Sequence, residues 1–243
     1  MIRLITALIC SLALVCSQAS AGFLLNSYAI SSVPTIAFLQ CETAAPTGSN
    51  PYTFSSINTG TASADRRTVV GVVAQDNTTV FTASTLTVGG DSASKQADNG
   101  AASAKGGAAI FILDNSSGTS ESVVITFSEA VSINTISICL WSITGGLSSN
   151  TSVDSATGSL KGSSTQTLSS DFSANGVGVG VCTSDVSGRT WTWTGMTERA
   201  DGDVTSGSRT AADYTATAAE TDRTITAQPN GTGEHGCAVA TFR

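Results

Sequence analysis

Charge is scarce in this chain. Lys and Arg number 11 and Asp and Glu 18 among 243 residues, giving 12% charged and a net charge of −7 at pH 7. No Lys/Arg run occurs, and nucleic-acid binding needs clustered cations to displace counterions from phosphate. Nucleic acid is therefore excluded as a partner. Histidine is rarer still: the only one is His235, in GTGEHGC. A Ser-His-Asp or Cys-His centre would have to be built on it. No GxSxG, HExxH or phosphate-cradling glycine loop followed by a helix accompanies it. The segment reads as a Gly-rich turn before the last strand, with His235 a solvated turn residue, and no enzyme is expected. Strong helix formers such as Glu, Lys, Gln and Leu are also thin, whereas Thr and Val are plentiful, which favours strands.

What is present is a period-two pattern, with 40% hydrophobic residues available to fill a core. The stretch GVGVGVCTSDVSGRTWTWTGMTER, from Gly176 to Arg199, alternates Gly/Val, turns at Ser/Gly and alternates Trp/Thr. It reads as two adjacent strands. Further strands are expected at Thr35–Cys41, Tyr52–Asn58, Arg67–Gln75, Thr79–Val88, Ala108–Leu113, Ser122–Ser128, Ile133–Ile143, Thr165–Phe172, Ala211–Thr217, Thr224–Gln228 and Cys237–Phe242. Residues 91–107 read as a long loop or weak edge strand, and 145–162 as a connection.

The strand order of the first half recurs in the second. Val177–Cys182 matches Val69–Ala74, Thr190–Thr194 matches Leu86–Gly89, and Ala211–Thr217 matches Ala108–Leu113. Thr224–Gln228 matches Val123–Phe127, and Cys237–Phe242 matches Ile138–Ile143. Each half would leave one sheet face bare, so the two are expected to pack on one another. The expected fold is an all-β, jelly-roll-like antiparallel β-sandwich over 35–243, built from pseudo-repeats of about 66–144 and 175–243.

Residues 1–21 resemble a secretory signal: Arg3 precedes the apolar run LITALICSLALVC, and Ala19-Ser20-Ala21 offers a small-x-small site before Gly22. The run is too short and wrongly flanked for a stable membrane span. The other reading is a hydrophobic peg that stays attached and docks into a larger assembly. Residues 22–34 then form a lead-in or attachment segment. Of six cysteines, Cys10 and Cys16 fall in the leader. Cys41, Cys139, Cys182 and Cys237 remain, able to form two disulfides in three connectivities or to serve as small buried residues.

Trp191 and Trp193 share one face of their strand. They are either core anchors or an exposed platform for stacking on sugar rings. Asp201 and Asp203 offer hard carboxylate oxygens for Ca²⁺ on what reads as a polar turn, without EF-hand spacing. Glu198 and Asp201 are a carboxylate pair of the kind a polysaccharide-cleaving enzyme uses, although many acid pairs would satisfy that pattern. No other cofactor is indicated. Asn77, Asn115, Asn150 and Asn230 each open an N-x-[ST] sequon in an expected loop, a number chance alone supplies in so Ser/Thr-rich a chain.

Through TASADRRTVVGV, LTVGG, VVITFS, LWSITG and TWTGMTER, with the lead-in GFLLNSYAI, the chain resembles uncharacterised β-rich structural and host-contact proteins of tailed phages and prophages. The resemblance covers most of 22–243 and brings no catalytic residues. It implies a virion-surface or host-contact role, with other coat proteins, surface glycans or further copies of the chain as partners. The signal-like N-terminus departs from it, because phage structural proteins assemble in the cytoplasm. The expected function is thus a non-enzymatic structural or adhesion protein, at a virion surface or secreted. The alternatives are an exported carbohydrate-binding module and, third, a polysaccharide-acting enzyme.

Overall fold

The segment RTVVGVVAQ is apolar on both faces, and both faces are covered. It forms β3 (Arg67–Gln75), hydrogen-bonded on either side and packed between two further layers. The computed structural model describes residues 33–243 except 45–49, 76–81, 101–105, 116, 129–132, 134 and 164. The expectations for residues 1–32 and for Asn77 lie outside the described residues.

The first half contains β1 (Thr35–Ala44), β2 (Tyr52–Asn58), β3, β4 (Ala83–Val88), the short β5 (Asp91–Ser92), β6 (Ser94–Asp98), β7 (Gly106–Asp114), β8 (Ser120–Phe127) and β9 (Thr135–Thr144). The second contains β10 (Asp154–Ser163), β11 (Gln166–Phe172), β12 (Val177–Ser184), β13 (Trp191–Thr194), β14 (Thr197–Val204), β15 (Gly207–Thr215), β16 (Glu220–Pro229) and β17 (Gly233–Phe242). Every strand pairing among the described residues is antiparallel. Among the described residues no helix is long and apolar enough to cross a membrane.

The two halves have the same topology. The five-stranded sheet β1-β9-β3-β7-β6 has its counterpart in β10-β17-β12-β15-β14, and β2-β8-β4-β5 has its counterpart in the three-stranded β11-β16-β13. In each half the first strand pairs with the last, the second with the next-to-last and the third with the third-from-last. That winding is a jelly roll. The fold is therefore an all-β sandwich of two repeated halves. The repeat is longer than 66–144 and 175–243, because β1 and β2, and equally β10 and β11, belong to it.

Each half is moreover a complete sandwich, where the sequence implied halves with one bare face. Val70, Val72, Phe111, Ile138 and Leu140 of the first large sheet pack on Phe54, Leu86, Val123 and Ile125 of its small sheet. Cys182, Ala212 and Val239 pack on Leu168, Trp191, Trp193 and Ile225. The two large sheets then close on each other through Val69, Ile110, Ile112 and Trp141 against Val177, Val179, Val181 and Phe242. Four layers result, with three apolar seams. Gln75 Nε2 also crosses the central seam, donating to Thr183 Oγ1 at 2.8 Å.

The Gly/Val alternation of β12 follows from this layering. Val177, Val179 and Val181 enter the central seam. Gly178 and Gly180 face the outer sheet, where a Cβ would lie 2.6 Å from the Phe172 ring and 2.9 Å from Trp193. The missing side chains make room for those aromatics.

Four further expectations need correction. The connection at 145–162 ends in a real strand, β10, which pairs with β17 along its length. β14 is a further strand the pattern did not mark, an edge carrying charged residues. The match of Val123–Phe127 to Thr224–Gln228 is one residue out of phase: Val123, Ile125 and Phe127 are buried, but so are Ile225, Ala227 and Pro229. A one-residue slip turns every side chain to the opposite face. By contrast, Val69 faces Trp141 and Val177 faces Phe242, so the β9–β17 match is two residues off, a shift that preserves the face.

Candidate functional site

The four described cysteines form Cys41–Cys139 and Cys182–Cys237, which settles the connectivity. In both cases the partners lie directly opposite on neighbouring strands, with Cα atoms 4.1 Å apart. Cys139 bonds outward to edge strand β1 and has Gly71 on its other side; Cys237 bonds inward to β12 and has Gly158 on its other side. Each repeat thus staples its last strand to one neighbour, and the choice of neighbour differs.

Trp191 and Trp193 are core anchors. They are 4% and 8% exposed, and their indole N–H groups donate to Ser208 Oγ (3.1 Å) and Thr210 Oγ1 (2.9 Å). Their solvent-facing neighbours are Thr192 and Thr194, so no flat aromatic platform is presented. His235 is not a turn residue either: it sits within β17, fully buried, its ring edge-on to Trp191 at 5.5 Å.

Asp201 and Asp203 belong to strand β14 instead of a turn, and both carboxylates hold backbone. Asp201 Oδ2 accepts the Trp191 N–H (2.9 Å) and Asp203 Oδ1 accepts that of Gly188 (2.5 Å). Burial, helped by the Asp203 charge, raises the Asp201 pKa against the opposing pull of the Trp191 and Gly202 N–H groups and Arg209. Loss of hydration and the Asp201 charge likewise raise Glu198. Among the described residues no three His, Cys, Asp or Glu side chains gather as a metal site. Of the described sequons, Asn115 is buried with its Oδ1 taken by Arg66, Asn150 donates to Asp114, and Asn230 is exposed.

A different place has the shape of a binding site. At one end of the first sandwich, the core-facing side of β9 changes from Ile136, Ile138 and Leu140 to Ser142 and Thr144. There β1 and the β2–β3 connection border an open groove of ≈ 530 Å³. Leu39, Asn58, Thr61, Thr119, Ser142 and Thr144 line it, together with Ala37 and Gly60, and none of them is charged. Ser142 is the most buried of these. Among the described residues, none hydrogen-bonds the hydroxyl of Thr61, Thr119, Ser142 or Thr144.

Arg66 fixes the rim. It is fully buried, and its guanidinium donates to the carbonyls of Gly60 (2.8 Å), Ser117 (2.5 Å), Gly118 (2.8 Å) and Asn115, and to Asn115 Oδ1 (3.0 Å). Burial lowers its pKa, with the Glu121 charge opposing. Thr59 N–H adds a bond to the Thr119 carbonyl at 3.1 Å. The two lining segments, 58–61 and 117–119, are thereby tied to one buried cation.

None of these residues stood out in the sequence, because the groove draws on four separate stretches. The one visible signal was the apolar-to-hydroxyl change along a single face of β9. Comparison with protein-family models, with curated proteins and with solved structures finds no match for this chain.

Proposed function

We propose that the chain is a non-enzymatic structural or adhesion module displayed on a virion or cell surface. The observation that carries this reading is the pair of disulfides, one in each central sheet. Such bonds form and persist outside the reducing cytoplasm. The repeated jelly roll adds support by analogy alone, since that architecture serves capsid and lectin domains as well as others. The likeness of TASADRRTVVGV, LWSITG and TWTGMTER to phage structural and host-contact proteins points the same way. Other coat proteins and surface glycans are the partners this role implies.

The second reading is an exported carbohydrate-binding module that leaves the cell through residues 1–21. The same disulfides favour it, as does the uncharged groove. Mass spectrometry of purified particles and of the culture medium separates the two. A disulfide-bonded chain retaining Met1 in particles supports the virion module and excludes the exported one. A soluble chain beginning at Gly22 in the medium does the reverse. Recovery only in the cytoplasm with free thiols overturns both.

A further inference from the structure

We propose that the groove between β1, β9 and the β2–β3 connection is a binding site for an uncharged glycan. This rests on the surface-contact reading above and names its site and ligand class. A neutral sugar is recognised through hydroxyl and amide hydrogen bonds, with a small apolar patch for the C–H face of a ring. The lining supplies the hydroxyls of Thr61, Thr119, Ser142 and Thr144 and the amide N–H of Asn58, whose Oδ1 already accepts the Gly60 N–H at 2.9 Å, beside Leu39, and carries no charge. Its ≈ 530 Å³ falls within the roughly 300–1,000 Å³ of small-molecule sites.

The corresponding corner of the second half, where β10 and β17 begin to pair, is stitched shut. Thr241 Oγ1 donates its one proton to the Asp171 carbonyl (2.9 Å), with the Asp154 carbonyl at 3.3 Å sharing it, and accepts the Asp154 N–H (3.1 Å). The Asp154 carboxylate in turn accepts from Ser170 Oγ (3.0 Å) and Asp171 N–H (2.7 Å). The connection there is short, 173–176, whereas that between β2 and β3 runs 59–66 and ends on Arg66. An open corner is therefore not forced by the topology. One copy satisfies its polar groups internally; the other leaves the hydroxyls of Thr61, Thr119, Ser142 and Thr144 without a partner among the described residues, beside a braced rim.

A peptide joining by strand addition pairs with the backbone of an edge strand. Edge strands β1 and β2 contribute Ala37, Leu39 and Asn58 to this groove, but its hydroxyls come from the face of β9, an interior strand, and from the connections at Thr61 and Thr119. That geometry suits rings and hydroxyls better than an extended main chain.

The test uses the purified full chain with neutral hexasaccharides of glucose, mannose, galactose and N-acetylglucosamine, and with hexagalacturonate as the charged control. Binding is read by saturation-transfer NMR and calorimetry. Thr144→Trp fills the groove, Thr61→Trp fills it from an exposed position that leaves the core alone, and Thr224→Trp is the control on an exposed strand face elsewhere. At least one neutral hexasaccharide is expected to bind and to lose tenfold or more in both groove variants, with Thr224→Trp unchanged. No neutral binding, equal binding by all variants, or tighter binding of hexagalacturonate or of an extended peptide overturns the proposal. Attachment of particles or cells that persists in Thr61→Trp sinks the groove while leaving the surface role standing. Absence of any attachment by the unaltered protein sinks the surface role itself.

Discussion

The indole N–H of Trp141 donates to Asp213 Oδ2 at 3.1 Å, joining the large sheet of one half to that of the other. Asp213 is 1% exposed, and Arg199 from the neighbouring strand meets it through Nε at 2.9 Å and Nη2 at 2.8 Å. The central seam, otherwise lined largely by Val, Ile and Ala, thus contains one carboxylate whose oxygens are held by a cation and an indole.

Removing that carboxylate leaves Arg199 without its partner and the buried Trp141 N–H unsatisfied. Arg199 is 42% exposed and can turn to water, so the cost is chiefly the stranded indole N–H, about 1–3 kcal/mol. Asp213→Ala is expected to lose that much in urea unfolding, and Trp141→Phe about 1–3 kcal/mol for the stranded acceptor and lost packing. A double variant that loses less than the sum of the two would report the coupling directly.

The disulfides close loops with sequence separations of 98 and 55 residues. Constraint of the unfolded chain gives about 4–5 kcal/mol for loops of this size, and measured values centre on roughly 2–4. Replacing Cys41 and Cys139 together by Ala, or Cys182 and Cys237 together, is expected to lower stability by the latter amount. Urea unfolding with and without reductant checks this, since each double variant should retain reductant sensitivity from the other bond.

Asp154 gives the acid limb of stability a named cause. Burial alone would raise its pKa, but the N–H groups of Asp171 and Ser155 and the Ser170 hydroxyl outweigh burial and hold it below the usual value. A depressed carboxylate stabilises the fold above its unfolded pKa of about 3.9, and that stability is lost as pH falls through the lower folded value. Asp154→Asn is therefore expected to be less stable at neutral pH and to show a shallower decline of Tm between about pH 5 and 2. Parallel slopes for the two proteins would contradict the assignment.

The sequence carried much of the strand pattern and little of the site. Arg67–Gln75 matches its strand residue for residue because a continuous apolar run is a local signal, and Tyr52–Asn58 matches too, although an irregularity after Phe54 breaks its alternation and buries Ile57. DSATGSLKGS gave no such signal: β10 is an edge strand whose small residues are half exposed, and its strand state depends on β17 beside it. Period two placed Trp191 and Trp193 together but said nothing of which side was wet. The answer lay in Gly178 and Gly180, whose bareness only makes sense once an aromatic layer stands over them. His235 was misplaced because glycines on either side of it mimic a turn, while here they let β17 run through a crowded layer.

The central seam has one further consequence. β1 of the first half lies against β14 and β15, and β10 of the second lies against β6, so each half offers the other the same face in a reciprocal arrangement. This is the geometry of a symmetric dimer written into one polypeptide. The tether 145–153 holds the two halves at high effective concentration, so their association does not depend on how dilute the protein becomes. Freed from having to be identical, the two subunits can diverge: one corner has sealed itself while the other has stayed open, a division of labour that a true homodimer could not adopt.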